Sequence, residues 1–186
     1  MIYFTSDTHY FHKNVIEFCK RPYKNLEDMH NGLITNWNSV VRPNDTIYHL
    51  GDFSFGRNDE TIEVIKKLNG YKILIMGNHD RRLQKTVLAQ FDRVENFLEI
   101  TWEHQKIVLL HYAMKVWNRS HHGSWQLYGH SHGSLPDDPH ANQIDVGVDC
   151  WNYTPISFDQ VKLAMKLKQY RPVDAHGRRP FDIKYS

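Results

Sequence analysis

Histidines and acidic residues recur in this chain at spacings that suit metal binding and acid–base chemistry. Thirteen of the 186 residues are histidine. Carboxylate oxygens and imidazole nitrogens bind divalent transition metals, and both groups also transfer protons in catalysis. The residues of these types that follow predicted strands, with one asparagine, are Asp7, His9, Asp52, Asn78, His79, Asp80, His111, His130 and His132.

The elements that must position these residues are short strands that end directly before them. Strand-like segments at 2–5, 46–50 and 72–76 alternate with helices whose apolar residues recur every three or four positions. The carboxyl ends of such strands meet at one edge of a sheet, where α/β proteins keep their sites. Within one extended strand end, residues two apart such as Asp7 and His9 would point the same way.

The second half of the chain predicts strands without helical periodicity, at 97–102, 105–110, 125–128 and 144–148. Ser157 and Gln160 form a capping box, which predicts a last helix. A helix-rich first half and a strand-rich second half indicate an α/β fold with a mixed sheet or sandwich. The length favours a single domain over 1–186, with a polar tail from about residue 170.

Composition excludes several classes of protein. Hydrophobic residues make up 40% and charged residues 24%, which is typical of a folded chain. A net charge of +2 provides no single-sign excess for an extended nucleic-acid surface. Two cysteines outside any CxxC pair argue against a disulfide framework. The sequence shows neither a signal peptide nor a membrane span, so we expect a cytoplasmic protein with no membrane partner.

The donor set and the glycines beside it predict two metal ions. Gly51, Gly77 and Gly129 each precede a candidate ligand, and a residue without Cβ lets the backbone bring side chains to a common centre. Carboxylate, amide and imidazole donors without thiolate suit Mn, Fe, Zn or Ni. Seven ligands at about four per ion fill two sites if one carboxylate is shared. Asp52 lies between the other groups along the chain, so we expect it to bridge.

The motifs resemble a known family. Asp7-x-His9, Gly51-Asp52, Gly77-Asn78-His79-Asp80, His111 and Gly129-His130-x-His132 are similar, in order and composition, to the five-block signature of calcineurin-like metallophosphoesterases. The short length and the Asp-Thr-His-Tyr-Phe-His opening resemble small bacterial or phage phosphoesterases of that superfamily. The resemblance implies an αββα sandwich of two mixed sheets flanked by helices.

The same resemblance implies the role of each residue. Two divalent ions are expected, with manganese favoured and Fe, Ni, Co or Zn as alternatives. His79 would stabilise the transition state or protonate the leaving oxygen, with Asp80 orienting its ring. A metal-bridging hydroxide would attack phosphorus in line with the leaving group. One ion would be bound by Asp7, His9, Asp52 and His132, and the other by Asp52, Asn78, His111 and His130.

These expectations lead to a phosphodiesterase acting on nucleotides or other small phosphodiesters, so the expected partner is a small phosphate ester. Protein phosphatases of the superfamily extend the second block with an Asp-Arg pair, whereas Phe53 follows Asp52 here, which disfavours a phosphoprotein substrate. The alternatives are a phosphomonoesterase and a non-catalytic binding protein of the same fold. All predicted ligands and His79 are present, which favours an enzyme. The sequence does not specify the natural substrate or the oligomeric state.

Residues outside the motifs supply candidate substrate contacts. His12 begins a predicted helix, and its imidazole is a candidate for a substrate phosphate. Arg57 follows the second motif and is a candidate phosphate clamp, as are Arg81 and Arg82 after the third. The pair at 121–122 is interpreted as part of a polar loop. Core packing is the favoured role of Trp117, Trp125 and Trp151, and base stacking is the alternative.

Overall fold

The computed structural model describes residues 1–173, in which strands form two sheets and helices flank them. The predicted polar tail from about residue 170 therefore falls almost wholly outside the described residues. The strands are Ile2–Thr5 (β1), Thr46–His49 (β2), Tyr71–Ile75 (β3), Arg93–Glu95 (β4), Leu98–Trp102 (β5), Gln105–Leu109 (β6), Trp125–Tyr128 (β7), Gln143–Asp145 (β8) and Ile156–Ser157 (β9). The helices are Lys13–Phe18 (α1), Leu26–Val40 (α2), Asn58–Lys67 (α3), Lys85–Leu88 (α4) and Phe158–Lys166 (α5).

Both sheets are mixed, as predicted. The first has the strand order β4-β3-β2-β1-β9, in which β1 to β4 run parallel and β9 runs antiparallel to β1. The second has the order β5-β6-β7-β8, and only β5 runs antiparallel to its neighbour. Parallel neighbours bring the carboxyl ends of β1, β2 and β3 to one edge, and those of β6 and β7 to another.

Helix α2 shows how the sequence covers the first sheet. Its first turn is capped by the Asn25 side chain, which accepts a hydrogen bond from the Asp28 backbone at 2.9 Å. Met29, Leu33 and Trp37 recur at spacings of four and bury one face of the helix against the core. With 15 residues, α2 is the longest helix in residues 1–173, and none of the helices there is long and apolar enough to cross a membrane.

A second apolar layer lies between the sheets. Phe4 of β1 packs in one buried cluster with Leu109 of β6 and Leu127 of β7, and α5 adds Val161 to it. The neighbouring residue on β1, Tyr3, belongs to the cluster on the helical side, because side chains alternate between the faces of a strand. Strand β1, which ends at the first motif, is therefore anchored on both faces.

The predicted strand at 144–148 is wrong beyond Asp145. There the chain leaves the second sheet and bridges to the end of β1 through Ser6 and Gly147, and the Val148 N–H donates to the Ser6 carbonyl at 3.1 Å. A short 3-10 turn, Val148–Cys150, follows. This crossing joins the two sheets beside the motifs. Sequence reasoning also missed α4, β4 and β9, which are too short to show a period.

His49 is a core residue and belongs to neither donor set of the motifs. Its side chain is buried, and Nε2 lies 3.0 Å from the Thr8 hydroxyl. Burial lowers the pKa of His49 to about 3. Below the ordinary histidine pKa the unfolded chain takes up a proton that the folded chain excludes, so this group reduces stability as the pH falls from about 6.5 toward 3.

We expect His49→Gln, which cannot take up this proton, to be less stable than wild type at pH 7 because packing is lost. The difference in unfolding free energy should shrink by about 2 kcal/mol at pH 5, because only the wild type has the unfavourable linkage. Urea unfolding of the metal-free proteins at both pH values measures this change. An unchanged difference would contradict the buried, neutral state of His49.

Candidate active site

Left-handed backbone conformation marks the residues predicted to bind metal. The values of φ are 57° at Asp7, 51° at His9, 59° at Asp52, 68° at His130 and 48° at His132. The extended backbone assumed for each i,i+2 pair is therefore absent, although Asp7 and His9 still reach the same donor group, as expected. Each left-handed non-glycine residue costs about 1 kcal/mol, and such strain persists where the surrounding structure enforces it.

Two glycines permit the close approach of neighbouring motifs. A Cβ at Gly77 would overlap the Asp52 carboxylate, and a Cβ at Gly129 would overlap the Ser6 hydroxyl and the Asp7 carboxylate. Each motif glycine thus leaves room for a candidate ligand from a different strand. The predicted purpose of these glycines, to bring side chains to a common centre, is confirmed.

Asp7, His9 and His132 form the first donor group. The Oδ1 atom of Asp7 lies 3.8 Å from His9 Nε2 and 4.0 Å from His132 Nε2. Among residues 1–173, Asp7 Oδ1 and both ring nitrogens of His9 are buried without a hydrogen-bond partner. Burial raises the pKa of Asp7 to about 7. Buried polar atoms are costly unless paired, and a divalent cation between these donors would satisfy them. The residues therefore fit a metal ion.

Asp52, His111 and His130 form the second donor group, and Asn78 joins it. His111 Nε2 lies 3.5 Å from Asp52 Oδ2 and 3.1 Å from Asn78 Oδ1. The same Asp52 oxygen is 3.7 Å from His9 Nε2, so it faces both donor groups. Although burial acts to raise it, hydrogen bonding to His111 holds the pKa of Asp52 at about 2. Asp52 is thus an ionised carboxylate between the two donor groups.

Hydrogen bonds behind the imidazoles fix their orientation. His111 Nδ1 lies 2.7 Å from the Leu50 carbonyl, which can only accept a hydrogen bond, so Nδ1 carries a hydrogen and Nε2 is the nitrogen that faces Asp52. His132 Nδ1 lies 2.7 Å from Asp149 Oδ2, so its Nε2 likewise faces the first group. Such outer partners orient metal-binding histidines and raise their basicity.

Arg21 supports the first donor group from behind. Its guanidinium donates to Asp149 at 2.9 and 2.8 Å, and also to the backbone carbonyls of Thr8 and Asp7 at 2.9 and 2.7 Å. The side chain is fully buried, so these bonds lock the first motif loop to the residue that orients His132. Sequence reasoning missed Arg21 because 128 positions separate it from Asp149 and no motif includes it.

The predicted role of Asp80, orienting the His79 ring, is corrected by the structure. Asp80 is buried, and its Oδ2 accepts hydrogen bonds from the backbone of Asp52 at 2.7 Å and Gly77 at 2.8 Å. Its Oδ1 accepts from the Phe53 backbone at 2.9 Å. Asp80 therefore binds the second motif loop to the third, and its influence on the site runs through the position of Asp52.

His79 lies at the opening of the site. Its backbone N–H donates to Asp52 Oδ1 at 2.9 Å, and its Nε2 lies 3.8 Å from Asp52 Oδ2. The side chain is 44% exposed, in contrast to the buried His9 ring 5.8 Å away. The His79 imidazole is therefore open to a ligand at the place where both donor groups meet.

Of the candidate substrate contacts predicted from the sequence, the structure brings Arg82 beside the site and His12 to its opening. The His12 ring stacks on Phe55 at 4.1 Å and lies 5.5 Å from the His9 ring. Arg57 lies outside: its guanidinium, 76% exposed, pairs at 3.5 Å with acidic residues at the start of α3. Arg82 is the arginine beside the site, with its guanidinium carbon 3.6 Å from the centre of the Phe55 ring. Sequence reasoning missed Phe55, whose role depends on packing alone.

The tryptophans pack as predicted. Trp125 stacks on Phe158 of α5 with ring centres 5.8 Å apart, and Trp117 is buried. Trp151 donates from Nε1 to the Asp145 carbonyl at 2.7 Å. These contacts support core packing for the three tryptophans, and none of them supports base stacking. Cys19 and Cys150 are free thiols.

A family profile described as the calcineurin-like phosphoesterase superfamily domain matches residues 1–144. The fold and the profile agree, and the chain belongs to the calcineurin-like phosphoesterase superfamily. An uncharacterized protein of Methanocaldococcus jannaschii is 36% identical over 181 residues, which cover 93% of this chain and 96% of that protein. The gene 66 protein of Mycobacterium phage L5 is 31% identical over 180 residues, which cover 80% of this chain and 86% of the phage protein.

Among solved structures, a protein of unknown function from Aquifex aeolicus has the same fold, with a TM-score of 0.72 at 30% identity. The match covers 88% of this chain and 98% of that one. The predicted family and the α/β architecture of two mixed sheets flanked by helices are therefore confirmed.

We expect Asp149→Asn to weaken metal binding by about 10- to 100-fold, because His132 loses the carboxylate that orients it and raises its basicity. Calorimetric titration of the metal-free protein with Mn²⁺ measures the change. Asp92→Asn serves as the control, since the Asp92 carboxylate accepts a hydrogen bond from the Lys72 backbone at the start of β3 and belongs to neither donor group. Equal affinities for the Asp149 variant and wild type would remove Asp149 from the site's support.

Proposed function

We propose that this protein is a dinuclear metal-dependent phosphoesterase, a phosphodiesterase that acts on nucleotides or other small phosphodiesters. The observation that carries the proposal is the Asp52 carboxylate, which faces two separate His/Asp donor groups beside the open His79 imidazole. A structural metal site needs neither a shared carboxylate nor an unligated histidine at its mouth.

The two donor groups define which residues would hold the metals. Asp7, His9 and His132 would bind one ion, His111, His130 and Asn78 the other, and Asp52 would be shared. Divalent ions bound there would lower the pKa of water to give a nucleophile and would neutralise charge on the phosphoryl oxygens. Oxygen and imidazole donors without a thiolate suit Mn, Fe, Ni, Co or Zn. Manganese is our first candidate because of the resemblance to the family.

The protein's own groups supply orientation and proton transfer. His79 Nε2 is the exposed nitrogen nearest the shared carboxylate, and we assign it the proton given to the leaving oxygen. Asp80 and Arg21 keep the motif loops in register and touch no substrate, so they are positioning residues. Burial of Asp7 and His9 excludes water from the inner side of the site, which strengthens electrostatic interactions there.

Two aromatic side chains at the rim support a diester rather than a monoester substrate. Phe55 lies beside the first donor group, 5.3 Å from the His9 ring. Tyr112 lies beside the second, 4.7 Å from the His130 ring, and its hydroxyl donates to Asn78 Oδ1 at 3.3 Å. A phosphodiester carries an organic substituent on each side of phosphorus, so one can pack against the exposed Tyr112 ring while the other lies beside the edge of the Phe55 ring.

The reaction class is tested with bis-p-nitrophenyl phosphate and p-nitrophenyl phosphate, assayed in the presence of Mn²⁺, Ni²⁺, Co²⁺ or Zn²⁺. We expect turnover of the diester with a larger kcat/KM than that of the monoester, because its two substituents then lie beside Phe55 and Tyr112, one on each side of the site. The reverse order would assign a phosphomonoesterase. Absence of turnover with all four metals would favour the non-catalytic binding protein.

The roles proposed for Asp52 and His79 predict different metal contents for variants at the two positions. We expect His79→Ala to retain two ions per chain and to lose turnover by about 10²- to 10⁴-fold, as for removal of a general acid. Asp52→Ala should lose metal from both sites, because the shared carboxylate is removed. Metal analysis after dialysis and the diester assay measure both effects, with the exposed His104→Ala as control. Equal metal loss in the two site variants would refute the roles.

A further inference from the structure

Phe55 carries a basic side chain on each face of its ring. The His12 imidazole is nearly parallel to the ring, at 9° and 4.1 Å, and the Arg82 guanidinium carbon lies 3.6 Å from the ring centre. Two groups at stacking distance cannot share one face, so they occupy opposite faces. The His79 ring lies 4.7 Å from the same phenyl ring. Phe55 thus gathers an arginine and two histidines, defined here as the Phe55 rim, on the side where we place the leaving group.

Arg82 has donor capacity that the described residues do not use. Its Nη2 donates to the Ser54 carbonyl at 3.0 Å, which fixes the guanidinium over the ring. No carboxylate within residues 1–173 forms an ion pair with it, since the nearby Asp80 oxygens accept backbone hydrogen bonds and Asp52 faces the donor groups. A guanidinium presents five N–H donors and stays charged, so four remain for a ligand. His12 Nδ1 is likewise buried without a partner in that part of the chain.

We propose that the Phe55 rim is a subsite for a second phosphate group, carried on the leaving-group side of the scissile ester. The inference rests on the proposed function, because His79 locates the leaving group. A held guanidinium fork matches two phosphate oxygens, whereas a neutral sugar or base would leave its charge unpaired. The favoured substrate class is therefore a nucleotide compound with two phosphates, such as an oligonucleotide end, rather than a diester with a single phosphate.

Binding of thymidine 3′,5′-bisphosphate and of thymidine 5′-monophosphate tests the subsite. Calorimetric titration of the manganese-loaded protein should show that wild type binds the bisphosphate at least about tenfold more tightly, as for one added charge-assisted contact. Arg82→Gln should reduce this preference to less than about threefold, because the bidentate contact is lost. Arg81→Gln, which removes the same charge from an exposed neighbouring position, should keep the wild-type preference.

A preference that is absent in wild type, or that both arginine variants reduce equally, overturns the subsite, since general attraction to positive charge then explains the binding. Turnover of bis-p-nitrophenyl phosphate is measured on the same preparations. Failure of that turnover with the preference intact refutes the proposed function and leaves the subsite standing. Turnover without a preference that depends on Arg82 refutes the subsite alone.

Discussion

Two buried carboxylates that face the donor groups set the conditions for the rest of this structure. Asp7 Oδ1 has no hydrogen-bond partner among residues 1–173, and Asp52 Oδ2 is surrounded by imidazole nitrogens at 3.5 to 3.8 Å. Burial of a charge without compensation is among the most costly arrangements in a protein. Every other feature near the site, from left-handed backbone to tautomer-fixing hydrogen bonds, holds these oxygens where cations can compensate them.

The supporting residues act by joining motifs that lie far apart in the chain. Asp80 accepts hydrogen bonds from two loops, and Arg21 binds a third loop to Asp149. Both side chains are buried, so each bond forms in a medium of low dielectric constant where geometry is strictly enforced. The donor groups are therefore held rigidly, because the charged side chains of Asp80 and Arg21 hydrogen-bond to backbone groups of the loops that carry the candidate ligands.

The sequence was sufficient for the longer elements and the motif residues, because both have local signals. Strand β1 has the predicted bounds, and the candidate ligands follow strands whose ends converge. Sequence reasoning could not supply side-chain partners formed across the fold. The partnership of Arg21 with Asp149, and the placement of Arg82 rather than Arg57 on Phe55, depend on tertiary packing. The positive φ at Asp7 was also missed. Side chains alternate in direction only along an extended strand, and the backbone is no longer extended at this motif.

The bridge between Ser6 and Gly147 places the site on the seam of the sandwich. Asp7 continues from the first sheet and His132 follows a strand of the second, so the first donor group draws on both layers. A cation bound there would link the two sheets, and its binding free energy would add to the stability of the folded protein. The proposed activity and the stability of the sandwich would then both depend on metal binding at this donor group.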